Sequence, residues 1–168
     1  MIASDYVIIP LVPDLFSLQG LANVGRFLHN WRKDWKNSLQ RAEAKSTDYP
    51  SGDMQPIGYI ILQHRERQSR LVVSHQRWAD KIPTTYAKHL MMQANGHHDP
   101  DNDPNPIATV RNHHSLMALS HEARKPVFEL KPADGAIGSH NRVVVEAEGT
   151  YYDLSDVIAN RIGLKFED

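Results

Sequence analysis

A chain of 168 residues, 40% of them hydrophobic, suits one domain with a real core. Lys plus Arg number 19 against 20 Asp plus Glu, so the molecule as a whole has no electrostatic pull on nucleic acid or an anionic membrane, although a local basic patch stays open. The absence of Cys excludes disulfides and thiolate chemistry, and no stretch reaches the roughly 20 apolar residues of a membrane span, which sets the expectation of a cytoplasmic protein without membrane partners.

The chain opens on Asp5-Tyr-Val-Ile-Ile-Pro-Leu-Val-Pro-Asp14. Its unbroken β-branched run predicts a strand over Tyr6–Ile9, covered on both faces and interior to a parallel sheet. Pro10 has no N–H to give the ladder and is expected to end it, and Asp14 or Ser17 can accept from the first amides of a helix. That helix is predicted over Phe16–Leu39, where Leu18, Leu21, Val24, Phe27, Leu28, Trp31 and Trp35 recur at three- and four-residue steps. Its polar face carries Asn23, Arg26, Asn30, Arg32, Lys33 and Lys36 and reads first as solvated surface.

A turn-rich stretch ending in Tyr49-Pro-Ser-Gly-Asp53 leads to a second predicted strand, Ile57–Leu62, which closes a βαβ unit. The strand is expected to end at Gln63-His64, the polar run Arg65–Arg70 follows without an assigned element, and Val72–Met92 reads as a helix that Pro83 must kink or divide. Residues 93–106 are crowded with turn formers and predict a flexible surface insertion. A third strand is predicted over Ile107–Val110, followed by a segment around Leu116–Ala123, an extended Lys125–Leu130, a Pro132–Gly135 turn, and a final helical region, Ala136–Gly163, interrupted near Gly149.

Several motifs carry little chemistry. Asp99-Pro-Asp-Asn-Asp103 spaces its carboxylates like the start of a calcium loop, but lacks the turn Gly and has Val110 where the bidentate Glu belongs. His97-His98 and His113-His114 are adjacent pairs without a completing Cys or His-x-x-x-His, so no metal site is assigned. Ser115 and Ser120 sit outside any Gly-x-Ser-x-Gly elbow, and no catalytic residue is assigned.

Three blocks, Asp5–Leu21, Pro56–Gln63 and Ser120–Ala136, resemble in order segments of the ParA/MinD-type ATPases, the deviant Walker branch of the P-loop NTPases. The resemblance covers nearly the whole chain and implies an α/β fold: a partial parallel sheet with helices on its faces, in a single domain over 1–168, equivalent to the family's carboxyl-terminal half. No Gly-x-x-x-x-Gly-Lys-Ser/Thr occurs, so ATP and Mg²⁺ are expected only if another half supplies the phosphate loop, and no ATP hydrolysis is expected alone. The resemblance places Gln63, Arg111, Asn112 and Pro132 at the nucleotide; Val110 departs from the Pro that commonly precedes the Arg-Asn pair. A guanidinium can stack on a purine and an amide can pair with its edge. It further implies non-specific DNA binding by Arg67, Arg70, Arg77 and Arg124, and a role in plasmid or chromosome partition. The partners it implies are a ParA-type amino-terminal half or a second copy in a homodimer, and two alternatives stand beside it: a non-catalytic interaction module that docks on a ParA-type ATPase or self-associates, and a small nucleotide- or DNA-binding domain.

Overall fold

The computed structural model describes residues 4–42, 49–64, 66–67, 70–71, 73–93, 99–113 and 115–164, with backbone alone at 63–64, 66–67, 70–71 and 73–75. His97, His98 and His114 lie outside the described residues, as does the middle of the predicted 93–106 insertion. The chain divides into two compact units, Met1–Thr109 and Val110–Asp168.

In the first unit, β1 (Tyr6–Leu11) leads through a short loop to α1 (Leu15–Arg41), which returns to β2 (Gln55–His64). β1 and β2 pair in parallel, with a register shift where Ile57 bulges between the Val7–Pro56 and Ile8–Gly58 pairs. A third strand, β5 (Pro106–Arg111), completes an open parallel sheet in the order β1-β2-β5. The Tyr59 N–H donates to the Asn105 carbonyl at 3.2 Å where β5 approaches β2.

This order corrects two expectations about the opening strand. Among the described residues β1 lies at an edge, and β2 holds the centre. Pro10 lies inside the strand and does not stop it, because an edge strand can turn a position without an N–H away from the ladder. The strand alternates accordingly: Val7, Ile9 and Leu11 join the core while Tyr6 and Pro10 are exposed.

Asp14 caps α1, its carboxylate accepting from the Ser17 N–H at 2.7 Å, and the Ser17 hydroxyl accepts in turn from the Val12 N–H at 3.3 Å. Leu18, Leu21 and Leu28 then bury one stripe of α1 against Ile9, Leu11 and Tyr59 of the sheet. Arg32 leaves the solvated face: its guanidinium donates to the Asp53 and Met54 carbonyls at 2.5 and 2.6 Å, holding the approach to β2.

The polar run after β2, left without an element by the sequence, contains two short strands among its described residues. β3 (Glu66–Arg67) and β4 (Arg70–Leu71) form a short antiparallel pair. The helix predicted over 72–92 divides into α2 (Val73–Ala79) and α3 (Ile82–His89), with Pro83 in the first turn of α3, where its missing N–H has no helical partner to lose. Ile82, Tyr86 and Leu90 complete the core beside α1. Before β5, the Tyr59 hydroxyl donates to Asp103 at 2.6 Å, and burial followed by this carboxylate pushes the phenol pKa far upward.

In the second unit, α4 (Ser115–Ala123) is followed by a 3-10 turn at Val127–Glu129, where extended chain was expected, and by another at Pro132–Asp134, where the Pro132–Gly135 turn was predicted. The last element, α5 (Ser139–Ile162), runs through Gly149 without interruption. Leu116, Val127, Leu130, Ala136 and Ala147 form this unit's own core. The Lys125 ammonium contacts both Asp134 carboxylate oxygens at 2.8 and 2.9 Å; this bond and the Lys131 N–H hold the Asp134 pKa below the usual range.

Candidate functional site

The carboxyl end of a strand in an open parallel sheet is where ligands gather, because side chains splay there and helix N-termini follow. At the end of β5 the chain supplies Arg111, Asn112 and His113, then turns directly into α4 at Ser115. The sharp Gly138 start of α5, with φ 62°, brings His140 to the same place, and Glu146 follows about 1.7 turns further along. These side chains line one cleft of about 280 Å³, with Leu116 and Val143 as its apolar lining.

Its polar groups differ in what they have left to offer. Arg111 is exposed, whereas the His113 imidazole is buried and the His113 carbonyl accepts from the Leu116 N–H at 3.0 Å in the first turn of α4. The Ser115 Oγ lies 3.1 Å from His140 Nε2. His140 Nδ1 is shielded from solvent and has no hydrogen-bond partner among the described residues. A serine made nucleophilic by histidine needs a carboxylate on that second nitrogen to hold the tautomer and stabilise the imidazolium. The nearby candidate, Glu146, instead accepts from Arg142 Nε at 3.0 Å. Among the described residues the pair therefore has no carboxylate on that second nitrogen, and what it shows is a serine–histidine hydrogen bond.

Of the residues expected at a nucleotide, the structure brings Arg111 and Asn112 into this cleft. Pro132 is exposed at the start of a 3-10 turn and is not among the cleft residues. Gln63 holds its place near the end of β2, with its side chain outside the description. For the arginines expected on DNA, backbone register sets Arg67 opposite Arg70; Arg77 is exposed in the last turn of α2, and Arg124 is exposed after α4 with a left-handed φ of 52°. The Asp99 and Asp103 carboxylates are engaged within their own loop and with Tyr59. Ser120 donates to the Lys125 carbonyl, which makes it a structural hydroxyl.

Sequence reasoning missed the contribution of His140 and Glu146. They lie 25 and 31 residues beyond Ser115, and only the fold between α4 and α5 closes that distance. Among the described residues no helix is long and apolar enough to cross a membrane, and no three His, Asp or Glu converge as metal ligands. No family model, no curated protein and no solved structure matches this chain.

Proposed function

We propose that this protein is a non-catalytic nucleoside-binding α/β module of the ParA/MinD type, which takes a purine nucleoside in the cleft at the end of β5. The observation that carries the reading is that Arg111 and Asn112 share one cleft with Glu146. In this reading the Arg111 guanidinium stacks on the base, the Asn112 amide pairs with its edge, and the Glu146 carboxylate accepts from the ribose hydroxyls.

Volume and charge both favour a nucleoside over a nucleoside triphosphate. About 280 Å³ falls at the small end of ligand sites, which start near ~300 Å³. A triphosphate in the same cleft would meet the Glu146 carboxylate. The cleft residues therefore do not fit a Mg²⁺-triphosphate, and with no Gly-x-x-x-x-Gly-Lys sequence present the chain performs no phosphoryl transfer of its own. A role in partition would be exercised through a ParA-type half that brings the phosphate loop.

Calorimetric titration tests the reading. Adenosine is expected to bind more tightly than ADP, whose phosphates meet Glu146, and Arg111→Ala with Asn112→Ala to weaken both by about tenfold or more. Absence of heat with every purine nucleoside and nucleotide, or binding indifferent to both substitutions, would remove it. A second reading, non-specific DNA binding, draws on the Arg67–Arg70 register in the β3–β4 pair. It requires affinity that falls steeply with added salt.

A further inference from the structure

A cleft of the first unit lies where α1 crosses α3, and its lining includes none of the residues the sequence assigned to nucleotide or DNA. Gly25 makes it possible. A Cβ at Gly25 would stand 2.2 Å from the His89 carbonyl oxygen, so the two helix backbones meet there with no side chain between them. Side chains on either side of this contact must spread apart, and they border a cleft of about 450 Å³.

The chemistry of the border is one-sided. From α1 come Arg26, His29 and Asn30; from α3 and its end come Lys88 and His89; among the described residues no carboxylate lines the cleft. The Arg26 guanidinium donates to Asn23, a neutral side chain, and none of Arg26, His29, Lys88 or His89 forms an ion pair among the described residues. Like charges gathered without a counter-charge repel one another, and this arrangement is stable in proportion to the anion it attracts.

We propose that this cleft binds a small phosphate-bearing anion, with Arg26 and Lys88 as its main charge partners and His29, Asn30 and His89 as further donors. A phosphate fits better than a lone carboxylate. Its three terminal oxygens can use donors arriving from two helices at once, and the Arg26 fork can engage two of them. The volume lies within the ~300–1,000 Å³ range of small-ligand sites. A nucleic-acid backbone would instead be expected to follow the exposed Lys33 and Lys36 further along α1.

Burial, followed by the charges of Lys88 and Arg26, holds the His89 pKa below its ordinary value. Among the described residues the charged groups facing it are Arg26 from α1 and Lys88 from its own helix, and the one other titratable group lining the cleft is His29. A bound dianion reverses the sign of that surrounding field, so binding draws a proton onto His89 and tightens as pH falls from about 8 to about 6.

The test is calorimetry of the full chain with inorganic pyrophosphate at low salt. One-site binding is expected, tighter at the lower pH, and weakened about tenfold by Arg26→Gln combined with Lys88→Gln. Both side chains are exposed, so an unchanged Tm confirms that the variant is folded. Arg111→Gln, in the other cleft, should leave pyrophosphate binding unaltered. No pyrophosphate binding, binding unchanged by the double substitution, or binding of duplex DNA but not of pyrophosphate would each overturn the proposal.

Discussion

Gly25 shows how far one missing methyl reaches. The contact of its backbone with the His89 carbonyl sets the spacing of α1 and α3, and so the depth of the cationic cleft beside them. Gly25→Ala forces a Cβ against backbone that cannot rotate aside. The helices must separate, at a cost of about 2 kcal/mol, or about 6 °C in Tm by thermal melting; an unchanged Tm would show that the crossing tolerates a side chain. At this scale the sequence was legible where chemistry is local. Asp14 as a helix cap follows from its neighbours, since a carboxylate three residues before a free amide reaches it. The tie from Arg32 to the Asp53 and Met54 carbonyls does not, because its partners lie 21 and 22 residues away and are main-chain atoms that no side-chain pattern announces.

Elements were legible by type and less so by ending. The apolar periodicity of α1 located it to within two residues at each end, and Pro83 did divide the following helix. Two breakers were over-read. Pro10 interrupts a strand only if its N–H would have faced a neighbour, and strand order is a tertiary fact. Gly149 lowers helix propensity by ~1 kcal/mol, which the packing of Ala147 and Leu154 on either side of it offsets. Gly149 is exposed, and a Cβ there would meet nothing within 4 Å. Gly149→Ala is accordingly expected to raise stability by about 0.5–1 kcal/mol in urea unfolding. A loss of stability would mean that α5 depends on a weak point at its middle.

For the whole molecule, the alternation of strands and helices announced an α/β protein with a parallel sheet, which the structure contains. The division into two units inside β5, each with its own core, has no counterpart in the sequence, because no Pro, Gly or charge run marks Thr109-Val110. Half of the cleft at the end of β5 was likewise legible. Arg111 and Asn112 sit at a strand end that periodicity can find, while His140 and Glu146 arrive on a helix that must first fold back. The buried Tyr59 phenol, tied to Asp103, sets an upper limit on the conditions this architecture survives. Its proton is held more firmly in the folded chain than in the unfolded one, so folding is favoured in full below about pH 10 and progressively less above it. In a spectrophotometric base titration this ring should remain silent while surface phenols ionise, then report all at once with the collapse of the fold. Tyr59→Phe should make the alkaline limit less abrupt; an ionisation curve in which every tyrosine titrates normally in the native protein would show that the contact with Asp103 does not lock the first unit.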